Sequence, residues 1–194
     1  MWHGGMTIEI KTPGQIAAMR EAGLVVARTL EVLAAAVRPG VTTADLDALA
    51  EAEIRAAGAT PSFKGYHGYP ATICASVNEE IVHGIPSPRR SLREGDIISI
   101  DCGAIVGGWH GDAALTVGVG TISAADAALL EACETALWHG LAQALAGHRL
   151  GDQRPNFLPL EVEFGRRGQS GHHQRRCRRG RQRCGRLSTT LPLG

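Results

Sequence analysis

The sequence predicts an α+β fold, because two helical patterns, a block of strand patterns and a third helix follow one another along the chain. Apolar residues recur at three- and four-residue spacing through residues 12–58 and again from Ser123. Between Pro61 and Gly120 this helical period is absent. Helices and antiparallel strands that are segregated along the chain are typical of α+β proteins.

The helices have recognisable ends. Thr12 is a suitable N-cap and Pro13 a suitable first residue for the first helix, which Pro39-Gly40 should stop. Its inner stripe is expected at Ile16, Met19, Gly23, Val26, Leu30, Leu33 and Val37. The second helix begins after Thr42 or Thr43 and ends near Gly58, with an inner face at Leu46, Leu49 and Ile54. The third begins at Ser123 and ends by Gly147, with a stripe at Leu130, Cys133, Leu137, Leu141 and Leu145.

Three strands are predicted between the second and third helices. They are the segments ATICASV, DIISIDCGAIV and HGDAALTVGVG, with turns at SPRR, REGD and VGG. The last two segments flank Gly107-Gly108 and should form a β-hairpin.

The chain has two compositions. Residues 1–152 contain 10 Lys and Arg and 17 Asp and Glu, whereas residues 153–194 contain 10 Arg and 2 Glu. We therefore treat 1–152 as the folded domain and expect 153–194 to be a disordered, Arg-rich tail. Three readings of the tail are open: a solvated extension, a nucleic-acid-binding arm, and out-of-frame translation of a GC-rich gene, which the abrupt change favours. The absence of aromatic residues interleaved with the arginines disfavours nucleic acid as a partner.

Several protein classes are excluded or disfavoured. No apolar run reaches 18 residues, so we expect no membrane span, and the N-terminus lacks the pattern of a secretory signal. The odd number of cysteines favours a reducing, cytoplasmic setting. Met6 could equally be the true start. The five cysteines fit neither a disulfide framework nor a paired zinc motif, and the His172, His173, Cys177 and Cys184 cluster matches no standard zinc site.

Two aspartates in the predicted hairpin, Asp101 and Asp112, are the leading candidates for chemistry. With an even loop at Gly107-Gly108, Asp101 lies opposite Ala114, and Asp112 is its diagonal neighbour on the same face. An odd loop would put the two side chains on opposite faces unless a bulge restores the register. Buried carboxylates need a partner, which could be a metal, a basic side chain, a hydrogen-bond network, or each other with one protonated. On spacing alone, two separately solvated or salt-bridged aspartates are the more common arrangement. Two carboxylates held close together would suit a pair of divalent ions.

The flanking segments PSFKGYHGYPATICASVN, VHGIP, GDIISIDCGA and WHGDAALT, in this order and spacing, closely resemble the type I methionine aminopeptidases. The resemblance runs from about Thr7 to Gly151 and includes TPGQIAAMREAGLVVA. It implies the N-terminal portion of a pita-bread fold and a hydrolase that removes the initiator methionine from nascent polypeptides, near the ribosome and as a monomer. It also implies two divalent metal ions, which could be Co, Mn, Fe, Zn or Ni.

The same resemblance assigns site residues. Asp101 matches the family's first metal-binding aspartate, and Asp112 matches the aspartate that bridges both metals. His83 matches a histidine that contacts the substrate beside the scissile peptide. The residues that match the methionine pocket are Tyr66, Tyr69, Cys74 and Phe63.

The family's other metal ligands, a histidine and two glutamates, have no motif match in residues 153–194. We therefore expect a truncated or frameshifted chain with little or no activity, exposed strand edges and an uncovered apolar face. Three alternatives stay open: a pita-bread peptidase that cleaves before proline, a non-catalytic binding protein or inactive fragment on the same scaffold, and a nucleic-acid binder through the tail.

Overall fold

The computed structural model describes residues 9–149 and residue 151. The expected disordered tail, the domain boundary at 152 and the choice of start codon lie outside or at the edge of these residues. The helices are α1 (Pro13–Ala36), α2 (Thr43–Ala56) and α3 (Ala124–Ala142). The strands are β1 (Thr60–Pro61), β2 (Ile73–Val77), β3 (Ile97–Val106) and β4 (Trp109–Gly118), and a 3₁₀ turn covers Tyr66–Gly68. The chain divides into two compact units after Leu130.

Helices α1 and α2 begin where the sequence predicts. Thr12 and Gln15 form a reciprocal capping box at the start of α1, and Thr42 and Asp45 form one at the start of α2. The buried face of α1 comprises Ala22, Val26, Thr29, Leu30 and Leu33. The prediction that Ile16 joins this face was wrong, since Ile16 is 56% exposed. It lies in the first turn, ahead of the buried stretch that begins at Ala22.

Strand β3 is the centre of the sheet. It pairs antiparallel with β1 and β2 along one edge and with β4 along the other. Gly107 and Gly108 form the two-residue turn between β3 and β4, and both have positive φ, as a type I′ turn requires. Among the described residues, β4 pairs with β3 alone, so its outer edge is unpaired there, as expected.

The two faces of the sheet differ in chemistry. One face packs against α1 and α2 through a core that includes Ile73, Val77, Ile98, Ile100 and Cys102. Helix α1 approaches β4 so closely that a Cβ on Gly111 would lie 2.6 Å from the amide nitrogen of Gly23.

The second face alternates with the core face along each strand and carries the polar residues Cys74, Ser76, Ser99, Asp101, Asp112 and Thr116. The expected uncovered apolar face is therefore not this side of the sheet. The side of β3 and β4 that faces away from the helices presents carboxylates, hydroxyls and small residues.

Helix α3 begins as predicted, with the Ser123 hydroxyl accepting from the amide of Asp126 at 3.1 Å. Its predicted apolar stripe is not buried: Leu137, Leu141 and Leu145 are each more than half exposed among the described residues. The buried positions of α3 are Ala136 and Gly140. Periodicity identifies a face that could be buried, but it does not supply the partner that buries it. No helix in the described part of the chain is long and apolar enough to cross a membrane.

Candidate metal centre and methionine pocket

The hairpin register brings Asp101 and Asp112 together. Asp101 pairs with Ala114, and Gly103 pairs with Asp112, so the two carboxylates are diagonal neighbours on one face of the sheet. This is the arrangement that an even loop predicts. Asp101 is half-buried and Asp112 is exposed, so the pair opens toward solvent on the side away from the helices.

Burial and mutual repulsion make the pair hard to ionise completely. Burial, the negative charge of Asp112 and a hydrogen bond shared with Asp112 raise the pKa of Asp101 to about 7. Burial also raises the pKa of Asp112, although the shared hydrogen bond and the nearby His110 act in the opposite direction. Two acids in this position hold a proton between them near neutral pH unless a cation neutralises both.

Cys74 and Tyr69 lie on the β2 side of Asp101. Cys74 is directly opposite Asp101 in the β2–β3 ladder, so both side chains occupy the same face, and Cys74 is 6% exposed. Burial and the charges of the two aspartates raise the pKa of the Cys74 thiol. The hydrogen bond with Tyr69 acts in the opposite direction but does not cancel this rise. The Tyr69 pKa is raised by burial and by its hydrogen bond with Cys74. Both groups are therefore neutral at physiological pH.

Phe63 covers Gly103, which pairs with Asp112 and lies two residues along β3 from Asp101. A Cβ on Gly103 would point to the face that carries Asp101, and it would lie 2.8 Å from the Phe63 ring. The structure thus brings Phe63 and Cys74 to the same sheet face as the carboxylates. Tyr66 is different, because it is 56% exposed and its ring packs edge-on against His67 at a centroid distance of 4.3 Å.

His83 lies beyond β2 in the loop that follows it. The carbonyl of the next residue, Gly84, accepts from the Ala75 amide at 2.8 Å, so this backbone runs beside the outer edge of β2. With strands about 4.8 Å apart, His83 is roughly 10 Å across the sheet from β3. It is exposed and has a left-handed backbone conformation with φ of 58°.

His110 is a site residue that the sequence reasoning missed. It lies two positions before Asp112 on β4 and pairs with Ile105, so it shares the face of the aspartates. Its Nδ1 is 3.4 Å from the Ser62 hydroxyl. The signal was available in the period-two spacing of His110 and Asp112, which places both on one side of a strand.

The described residues fit a divalent cation only in part. Asp101 and Asp112 provide two converging oxygen donors, the ligand type that hard divalent ions prefer. Within residues 9–149 and 151, however, no group of three or more His, Cys, Asp or Glu side chains is arranged to hold an ion. Among the described residues the site therefore consists of two carboxylates.

The chain is similar in sequence to known metallopeptidases. Residues 17–153 match the model of metallopeptidase family M24. The chain is 52% identical to methionine aminopeptidase 1 of Mycobacterium tuberculosis (strain CDC 1551 / Oshkosh) over 149 residues, which are 77% of this chain and 56% of that protein. It is 53% identical to the methionine aminopeptidase of Clostridium acetobutylicum over 158 residues, covering 81% of this chain and 63% of the relative. The chain therefore spans about three-fifths of the length of these relatives.

Solved structures show the same fold. The methionine aminopeptidase of Thermotoga maritima superposes with a TM-score of 0.78 at 36% identity, over 82% of this chain and 64% of that one. A Xaa-Pro dipeptidase from Bacillus anthracis superposes with a TM-score of 0.69 at 23% identity, over 84% of this chain and 44% of that one, which is a likeness of fold alone. The expected pita-bread architecture is confirmed for the matched part of the chain.

Proposed function

Since the chain belongs to metallopeptidase family M24, we propose that its described region supplies two metal ligands and the methionine pocket of a methionyl aminopeptidase. The observation that carries the proposal is the convergence of Asp101 and Asp112 on one sheet face, beside Cys74 and Phe63. Two acids that cannot both ionise alone are suited to share divalent ions, of which Co, Mn, Fe, Zn and Ni all remain candidates. Bound ions of this kind supply Lewis-acid polarisation of a peptide carbonyl and of water.

The pocket residues suit a thioether side chain. Phe63 offers an apolar ring surface, while Cys74 and Tyr69 are kept neutral by the rise in their pKa values. A neutral, apolar pocket favours the unbranched methionine side chain over charged ones. Tyr66 is close to Phe63 and Tyr69 in the sequence, but its side chain is exposed. It would therefore contact the substrate only at the mouth of the pocket.

His83 would donate a hydrogen bond to the substrate near the scissile peptide. Its place beyond β2 puts Cys74 between it and the aspartates. A substrate whose methionine side chain occupies the region of Cys74 could therefore place its α-amino group near the two carboxylates and its scissile peptide near His83. We assign the substrate as the N-terminus of a nascent polypeptide, met in the cytoplasm near the ribosome by a monomeric enzyme.

The 194-residue chain should itself hydrolyse Met-Gly-Met slowly or not at all with Mn²⁺ or Co²⁺, because two carboxylates make an incomplete site. A chimera tests the assignment directly. Residues 1–151 would be joined to the part of the Clostridium acetobutylicum methionine aminopeptidase that follows the position aligned with Gly151. We expect it to release methionine, and we expect the Asp101→Asn chimera to lose at least a hundredfold in rate. A folded chimera that leaves Met-Gly-Met intact would contradict the proposal.

A non-catalytic binding role on the same scaffold is the second candidate. It is favoured by the incomplete ligand set among the described residues. Cleavage before proline is the third candidate. A chimera with that specificity would cut the Xaa-Pro peptides of a substrate panel and leave Met-Gly-Met intact, so the panel distinguishes the two activities.

A further inference from the structure

The backbone of Gly84 is clamped to β2 at both of its polar groups. Its N–H donates to the Ser76 hydroxyl at 3.1 Å, and its carbonyl accepts from the Ala75 amide at 2.8 Å and from the Tyr69 hydroxyl at 3.3 Å. No Cβ would fit here, because it would overlap the Ala75 carbonyl. The segment after His83 therefore has one position relative to β2.

The other end of the loop is held as well. The Glu80 carboxylate accepts from the Val77 amide at 2.7 Å, and the Glu80 amide donates to the Val77 carbonyl at 3.2 Å. Between these anchors His83 has the left-handed backbone that residues with a side chain rarely adopt. Such a conformation persists only where the surroundings hold it.

The direction of the His83 side chain depends on this backbone. The imidazole is exposed, and within the described part of the chain it makes no hydrogen bond or ion pair of its own. Ser76, by contrast, is 5% exposed, and it is the side-chain acceptor for the Gly84 amide. The geometry points to Ser76 as a positioning residue, whose hydroxyl fixes the His83–Gly84 backbone and so sets the direction in which the His83 side chain leaves it.

The role of the His83 position in catalysis rests on the proposed function. The hydrogen bonds that clamp Gly84 to β2 can be tested without measuring turnover. The full chain, labelled with ¹⁵N and ¹³C, would be compared with Ser76→Ala, Ser76→Thr and Ser99→Ala by NMR. Ser99 is the matched control, because it lies directly opposite Ser76 in the β2–β3 ladder and its hydroxyl bonds Thr116, at 2.8 Å.

In Ser76→Ala we expect the Gly84 amide to exchange with solvent about tenfold faster, since one hydrogen bond is lost. The Cα and imidazole signals of His83 should move in the same variant. Ser76→Thr keeps the hydroxyl and should restore both, and Ser99→Ala should change neither. Unchanged Gly84 exchange and His83 signals in Ser76→Ala would overturn the inference, as would equal changes in Ser99→Ala.

A second arm separates this inference from the proposed function. L-methioninamide with Zn²⁺ should shift the His83 imidazole signals of the unsubstituted chain, and Ser76→Ala should weaken that response at least fivefold. The chimera assay decides for or against the proposed function, whereas Gly84 exchange decides for or against the clamp whether or not the ligand response appears.

Discussion

Replacing Asp101 by Asn should stabilise the metal-free protein at neutral pH, although it removes a candidate ligand. The pKa of Asp101 is raised from 3.8 to about 7 by burial and by Asp112. Between these two values the folded state binds a proton that the unfolded state does not. Stability therefore falls as pH rises from about 4 to about 7 and is level above that. Asn carries no charge at any pH, so this fall should disappear in the variant.

The size of the effect follows from the two pKa values. The difference between 3.8 and about 7 corresponds to at most about 4 kcal/mol, at 1.36 kcal/mol for each tenfold change in proton affinity. Solvent reaches the exposed Asp112 and screens the repulsion, so roughly 2 kcal/mol is a better expectation. For a chain of this size, that is roughly 4–8 °C in Tm.

The assay is urea unfolding of both proteins in EDTA at intervals from pH 5 to pH 8. The gap between Asp101→Asn and the unsubstituted chain should widen with pH and stop widening near 7. Asp96→Asn is a control in which the opposite change in stability is expected. Burial raises the pKa of Asp96, but hydrogen bonds from the Asn78 side chain and the Arg93 amide outweigh burial and lower that pKa overall. That variant should lose stability at neutral pH. Parallel pH curves for Asp101→Asn and the unsubstituted chain would refute the reasoning.

Two further predictions concern the scaffold that places the site. Gly111→Ala should lower the free energy of unfolding by about 2–3 kcal/mol, because its Cβ would overlap the α1 backbone. Gly23→Ala, on the facing helix, has open space and should raise that free energy by about 0.5–1 kcal/mol. Losses of equal size in urea unfolding of the two variants would contradict this prediction. Asp47→Ala should cost about 2–3 kcal/mol, because Asp47 Oδ1 accepts from the amides of Thr72 at 2.8 Å and Ile73 at 2.9 Å. Asp47→Asn keeps an oxygen acceptor and should retain most of that stability in the same measurement.

The hairpin was predictable because few local choices decide it. The Gly107-Gly108 pair favours a two-residue loop over an odd one, and alternation then sets which side chains share a face. The placement of Asp101 and Asp112 follows from those two facts. The starts of α1 and α2 were predictable for a similar reason, since each capping box lies within four residues.

Features that depend on distant packing were not predictable. Periodicity could not say that Ile16 precedes the buried part of α1 or that the stripe on α3 is exposed, because burial requires a partner surface. The Ser76–Gly84 bond joins a strand to a loop eight residues later, and no local motif announces it. His110 could have been found from its spacing to Asp112. The ligand roles of the aspartates and the roles of Phe63, Tyr69, Cys74 and His83 stay predictions.

Mn²⁺ titration calorimetry at pH 6 tests most directly whether Asp101 and Asp112 act together as ligands for a divalent cation. The unsubstituted chain should bind Mn²⁺ and release about one proton, because the cation displaces the proton that the pair shares. The Asp101→Asn/Asp112→Asn variant retains every histidine and cysteine, so it reports binding elsewhere in the chain, and it should lose the site. Equal Mn²⁺ affinity and proton release in both proteins, or no binding by the unsubstituted chain, would contradict this joint role.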